Sequence, residues 1–197
     1  MQPAIVLSSG AVFDFRAPEV CPWTIDDIAR GLAYTARFRG QTSAFYSVAQ
    51  HSVIMSRQAH EDIALAALFH DAAEAFVGDM PTPLKAMFPD FRHLEAEIQA
   101  SILRRLGLPP DIPAAVKGLD RRMLATEVRD LVRKDHDAYC WPLPQDTEPF
   151  PLDVIPVPPK RAHWEFHKRA AELLGMDRYR AINRDSRRRR GAAETAR

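Results

Sequence analysis

Residues 62–77 read DIALAALFHDAAEAFV, a stretch apolar on nearly every side that nonetheless carries His70, Asp71 and Glu74. The pattern predicts one helix. A helix apolar all round belongs in the centre of a fold, and Gly78 fits its C-terminal cap. An imidazole and carboxylates in such a helix are costly unless they pair or bind a metal. Glu74 lies four residues from His70 and three from Asp71, on the same helical face. Three ionisable groups on one face of a central helix are hard to explain as packing and point to a metal-binding or catalytic role. A second His-Asp pair, His136-Asp137, sits in the polar run RKDHDAYCWP and reads as a solvated helix end.

The rest of the chain supplies a helical frame. Residues 4–16 predict two short strands around Ser8-Ser9-Gly10, a small hairpin. Thr24 caps a helix to about Phe38, with Ile25, Ile28 and Leu32 on one face. Residues 46–60 form a second helix, and Pro81 and Pro83 hold an extended loop after the central one. Asp90 caps a helix carrying Phe91, Leu94, Ile98 and Ile102, closed by Gly107. Pro113 opens another with Val116, Leu119, Met123, Val128 and Leu131. Residues 141–160 hold 7 prolines, a rigid extended connection packed on the domain, and a last helix spans about 161–174. The fold class is all-α, a helical bundle with a short N-terminal β-hairpin. A length of 197 residues fits one domain, taken as 1–183, with an Arg-rich tail at 184–197.

The net charge of +1 divides unevenly: the tail carries +4 and the body −3. The tail has no apolar periodicity and is expected to be disordered and solvated. It is able to touch nucleic acid non-specifically, but the acidic body argues against a nucleic-acid partner. No apolar run approaches the roughly 18 residues that span a bilayer, and MQPAIVLSSG does not read as a signal peptide. Cys21 and Cys140 form no CxxC pair and fit a reducing cytoplasm.

His51 sits mid-helix in VAQHSVIM, one short turn before the central helix, so the two helices are expected as antiparallel neighbours with His51 meeting His70. Asp120, within AVKGLDRRMLATEV, lies on an inward-tilting face, with Glu127 two turns beyond on the same side. Two imidazoles and two carboxylates suit one borderline divalent ion (Mn, Co, Fe, Ni or Zn). Such an ion lowers the pKa of water and accepts a phosphoryl oxygen. In-line attack on phosphorus also needs a group to orient the water, for which Glu74 and Asp79 are available, and a cation on the phosphate. Arg37, in TARFRGQT, either supplies that bidentate fork or is a surface residue beside Arg39.

The order His51, His70-Asp71, Asp120 resembles the HD-domain metal-dependent phosphohydrolases. More narrowly, YSVAQHSV followed by ALFHDAAEAFVGDMPTPLK is similar to the branch of bacterial 5'-deoxynucleotidases and phage deoxynucleoside triphosphate triphosphohydrolases. The resemblance covers about Phe38 to Leu131. It implies an HD-domain helical bundle in which His51, His70, Asp71 and Asp120 hold one metal, Glu74 is the catalytic carboxylate, Asp79 positions the attacking water and Arg37 holds the phosphate. No counterpart of the second histidine pair of two-metal HD enzymes is present, so a single ion is implied. A compact cytoplasmic homodimer is implied as well, as is a nucleotide substrate, with deoxynucleoside 5'-monophosphates first and triphosphates as the alternative. Trp23 either stacks on a base or serves as a core aromatic. Lys85 and Lys117 are candidates to neutralise a longer phosphate chain, or plain surface lysines. The chain has Ala36-Arg37-Phe38 where the deoxynucleotidase pattern carries an Arg-Trp pair, so base and sugar selectivity do not follow from the resemblance.

Overall fold

The computed structural model describes residues 3–132 and 147–195. Strands β1 (Ala4–Val6) and β2 (Val12–Asp14) pair antiparallel with Ile5 opposite Phe13, the expected hairpin. Helix α1 (Ile25–Tyr34) starts on a reciprocal cap. Asp27 N donates to Thr24 Oγ1 at 3.0 Å, and Thr24 N donates to Asp27 Oδ2 at 2.9 Å. Asp27 Oδ1 also accepts from Ser8 Oγ and Ser9 N, each at 3.0 Å, so one buried carboxylate fastens the hairpin to the helix.

Helices α2 (Val48–Gln58), α3 (Glu61–Leu68), α6 (Pro89–Arg105), α7 (Ala114–Leu131) and α8 (Pro159–Leu174) build the bundle. α1, α2, α3 and α8 pack against one another, and α7 closes over α2 and α3. Ile25, Ile28, Leu32, Leu68, Phe69, Ile98 and Phe166 are fully buried between them. Burial of one such side chain contributes about 1.5–3 kcal/mol.

The central stretch departs from the expected single helix. α3 ends at Leu68, residues 69–73 form turns, and α4 (Glu74–Val77) resumes the helix. The break is what lets His70 and Asp71 act together. Neighbouring residues on a regular helix diverge, whereas here His70 Nε2 and Asp71 Oδ2 lie 3.0 Å apart. His70 Nδ1 turns back to Ala67 O at 2.9 Å, taking a carbonyl that a continuing helix would use. The opened backbone is held by buried Gln99 of α6: its Oε1 accepts from Ala73 N at 3.0 Å and its Nε2 donates to Phe69 O at 2.7 Å.

α1 crosses α4 so closely that a Cβ on Gly31 would lie 2.6 Å from Ala75 O and 2.8 Å from Ala75 Cα. Gly31→Ala, ordinarily favourable within a helix, is therefore expected to destabilise the protein by about 1–3 kcal/mol, because the overlap is with backbone. Denaturant unfolding checks this, and a neutral or stabilising result would contradict the close crossing.

Other differences are local. Pro81 and Pro83 start a short helix, α5 (Thr82–Lys85), where an extended loop was expected; proline suits a first helical turn. Phe88 occupies the cap position of α6, and Asp90 lies in its first turn instead. Residues 147–158 run extended over the bundle as expected, held by Gln50 Nε2 to Ile155 O at 2.7 Å and Val157 N to Gln50 Oε1 at 3.0 Å. The start of the proline-rich connection, His136-Asp137 and Cys140 lie outside the described residues.

The expected disordered tail is instead helical through Thr195, as part of α9 (Met176–Thr195). Contacts across the fold extend the helix. Ser186 is buried, its Oγ donating to Trp23 O at 2.5 Å, and Arg189 Nη1 donates to Glu19 O at 2.8 Å. Among the described residues no helix is long and apolar enough to cross a membrane.

Candidate metal centre

Three elements deliver the cluster. α2 brings His51, the turn between α3 and α4 brings His70 and Asp71, and α7 brings Asp120. His51 Nε2 lies 3.3 Å from His70 Nε2, 3.3 Å from Asp120 Oδ1 and 3.9 Å from Asp71 Oδ2. One ligand atom each from His51, His70 and Asp120 falls within 4.8 Å of the others. Asp71 Oδ2 joins them at 3.0 Å from His70 Nε2. The expected meeting of His51 with His70, and of both with Asp120, is present.

Glu127 of α7 completes the arrangement from behind. It is fully buried, and its Oε1 lies 2.6 Å from His51 Nδ1 while its Oε2 accepts from Arg37 Nη2 at 3.0 Å. A carboxylate on Nδ1 fixes the ring and leaves Nε2 facing the cluster, the usual support for a metal-binding histidine. In the sequence Glu127 stands on the side of Asp120 with nothing local to give it a role. The signal was its seven-residue spacing from Asp120, two turns along one apolar face.

Arg37 enters from a tight segment. Ala36 bridges Ser47, and Arg37 N donates to Tyr46 O at 2.9 Å. Phe38 and Arg39 then take φ of 53° and 54°, left-handed values that cost non-glycine residues on the order of 1–3 kcal/mol each. That fold-back sets the Arg37 guanidinium 3.7 Å from Asp71 Oδ2, on the cluster and away from bulk solvent. Arg37 Nε and Glu74 Oε2 are buried without a hydrogen-bond partner. Orphaned polar atoms of this kind mark places where a ligand or water completes the site. Four convergent N and O donors with two unfilled polar atoms beside them fit a divalent ion and an oxyanion.

The charged groups of the cluster act on one another at short range. Burial and the charge of Arg37 press the His51 pKa down, but Glu127 and Asp120 outweigh them and leave it raised to about 9. Burial also opposes ionisation of Asp71, yet His70, by charge and hydrogen bond, holds its carboxyl well below the usual range. Glu74 goes the other way: burial, then Asp71 and Asp79, push its pKa well up. Asp79 is raised too, chiefly by burial, against the pull of Arg37.

Only neutral His51 can ligate. Divalent-ion affinity is therefore expected to climb as pH rises from 6.5 towards 9, by up to about tenfold per unit as the proton is displaced, and to level off above it. Calorimetric titration with manganese across that range checks the slope; a flat profile would contradict a protonated His51.

The remaining expected residues are not all gathered here. Trp23 is buried in the core at 1% exposure with Arg105 4.1 Å from its ring centroid, the core-aromatic alternative. Lys85 Nζ is tied to Glu95 Oε1 at 2.7 Å, although its charge still reaches Glu74 and Asp79. Lys117 is exposed on α7.

Comparison with known proteins bears on this geometry. Residues 42–134, which span the cluster from His51 to Glu127, match the family described as 5'-deoxynucleotidase YfbR-like. The chain is 43% identical over 152 residues to the protein YfdR of Escherichia coli K12, covering 76% of this chain and 83% of the relative. The chain belongs to the YfbR-like 5'-deoxynucleotidase family. It is also 40% identical over 119 residues to a Rhodobacter capsulatus protein, covering 55% of this chain and 61% of that one. A 5'-deoxynucleotidase of Yersinia pestis is 36% identical over 83 residues, covering 41% of this chain and 42% of the relative. Membership of the YfbR-like family supports a nucleotide phosphohydrolase that uses a divalent ion, and the buried His51, His70 and Asp120 form a cluster able to bind one.

Proposed function

We propose that the protein hydrolyses deoxynucleoside 5'-monophosphates to a deoxynucleoside and phosphate, with one divalent ion held by His51, His70, Asp71 and Asp120. The observation that carries the reading is the convergence of these four side chains from three elements beside a buried arginine. When bound, the ion supplies Lewis acidity, lowering the pKa of water and drawing charge from a phosphoryl oxygen.

The chain's own groups do the rest. Arg37 carries a permanent charge, which burial opposes but Glu127, Asp120 and Asp71 more than secure, and its unpartnered Nε is left to bond a phosphate oxygen. Glu74 Oε2 has no partner in the fold and is the atom that orients the attacking water. A cation's charge nearby favours the ionised form of Glu74, against the burial that raises its pKa, and an ionised Glu74 is able to take a proton from that water. Asp79, close enough to raise the Glu74 pKa, helps to place the water. Attack of the water oxygen forms one P–O bond as the bond to the 5'-oxygen breaks, and the departing oxygen takes a proton from solvent water while Glu74 holds the one taken from the nucleophile and later releases it to solvent.

A monophosphate is favoured over a triphosphate because Lys85 is paired with Glu95 and Arg39 is engaged by Asp79 O at 3.2 Å, which leaves Arg37 as the guanidinium 3.7 Å from Asp71. The Yersinia relative's name, 5'-deoxynucleotidase, agrees with this choice. The reading includes a cytoplasmic homodimer, which light scattering would check by mass.

The direct test is phosphate release from a panel of nucleotides with manganese or cobalt, by the wild type and by Asp71→Ala. Release by the wild type alone is expected, with orthophosphate from monophosphates. Equal rates for the two proteins would reject the reading, and tripolyphosphate from deoxynucleoside triphosphates would move the substrate to the alternative.

A further inference from the structure

A second cluster of ligating side chains shares no residue with the first. Asp26 lies in the first turn of α1, and His163 and His167 lie four residues apart on α8, on one helical face. Both imidazoles aim Nε2 at the same oxygen, Asp26 Oδ1, at 2.9 Å from His163 and 2.7 Å from His167. The three ligand atoms all lie within 4.8 Å of one another. The rings stand at 87° with centroids 4.9 Å apart, so their lone pairs converge without stacking. Behind them, His167 Nδ1 meets the hydroxyl of Tyr179 on α9. When a cation replaces the hydrogen bonds to Asp26, an Nδ1–H donated to that oxygen leaves the His167 Nε2 lone pair to the ion. Asn183, one turn further along α9, accepts from Ile25 N at 3.0 Å, so the same helix also braces the backbone beside Asp26.

We propose that Asp26, His163 and His167 form a second divalent-metal site, of the zinc class, that clamps the first turn of α1 to α8. Two imidazoles and one carboxylate are a three-ligand set suited to a four-coordinate transition ion, with water in the fourth position. The present N···O separations are those of hydrogen bonds. Bonds of about 2.0–2.2 Å to a central ion require neighbouring donors to stand roughly 3.2 Å or more apart. The donors therefore spread by a few tenths of an ångström on binding. The side chains are placed to do so, being 54%, 27% and 23% exposed for Asp26, His163 and His167. The same exposure opens the site to ions from solvent and to the fourth, water ligand. A hydrogen-bonded triad alone is the competing account, and it predicts no metal stoichiometry.

Zinc titration of the full chain by calorimetry separates the two. The wild type is expected to take up two ions, one at each cluster. His163→Gln combined with His167→Gln is expected to take up one, and Asp120→Ala to lose the other. Asp26→Asn, nearly isosteric and checked for helical content by circular dichroism, keeps the proposal testable if the double variant does not fold. It is expected to weaken the zinc event at this site by at least about tenfold, and Tyr179→Phe by about tenfold through loss of the support behind His167. Zinc should also raise the melting temperature of the wild type more than that of Asp26→Asn. Two ions bound by the double histidine variant, or undiminished affinity in Asp26→Asn, would overturn the site.

Discussion

Glu74→Gln is expected to lower phosphate release by about 10²–10⁴-fold while the divalent ion stays bound, the range associated with loss of one proton-transferring group. Glutamine matches the shape of glutamate and keeps an acceptor oxygen, but it cannot exchange a proton at the position of Oε2, which has no partner in the fold. The side chains of His51, His70, Asp71 and Asp120, which the reading gives to the ion, are untouched by the change. Stability should hold or rise, because the variant removes an acid group whose ionisation is opposed by burial and by Asp71 and Asp79. Turnover, metal content and the unfolding midpoint of one protein sample check the three parts together. Loss of metal along with activity would make Glu74 a ligand, and retained turnover would remove it from the chemistry.

Glu127→Ala is expected to do the greatest damage to the fold. The carboxylate is fully buried and holds two groups at once, His51 Nδ1 at 2.6 Å and Arg37 Nη2 at 3.0 Å. Burial works against its charge, but Arg37 and His51 hold its pKa below the usual range, so it is an ionised partner at neutral pH. Truncating one member of a buried pair strands the other, at a cost of about 3–5 kcal/mol. Asp71, 3.7 Å from Arg37 Nη1, is a remaining counter-charge and moves the expectation to the lower end of that range. The freed His51 ring also loses its fixed tautomer, which should weaken metal binding by about 10–100-fold. Denaturant unfolding with and without manganese measures both effects. A change below about 1 kcal/mol, the scale of an exposed ion pair, would mean that Glu127 is not the support its geometry describes.

The residues that meet at the candidate centre were readable because charge in an apolar helix is rare and needs a reason. His51 between apolar neighbours, His70-Asp71 in an alanine-rich run and Asp120 on an apolar stripe all stood out this way. The break at residues 69–73 was not readable, because those residues include neither glycine nor proline. What stabilises the break is Gln99, which bonds Phe69 O and Ala73 N from a helix far along the chain. Periodicity within a window cannot see such a partner. The same holds for the tail, where a run of arginines hid Ser186, whose hydroxyl bonds Trp23 O. Trp23 and Lys85 suit a nucleotide site by residue type alone. In the fold, one is a core aromatic under Arg105 and the other is engaged by Glu95. Glu127 was visible as a position on the right face, but its job, holding His51 and Arg37 together, needs both partners in space.

Crystals soaked in cobalt and recorded at the cobalt absorption edge would locate the ion among these side chains without reference to activity. A strong anomalous peak is expected about 2.0–2.3 Å from His51 Nε2, His70 Nε2 and Asp120 Oδ1, with Asp71 contributing an oxygen from the same side. Density for cobalt elsewhere, with none between the two imidazoles and Asp120, would contradict the ion site on which the hydrolytic reading stands.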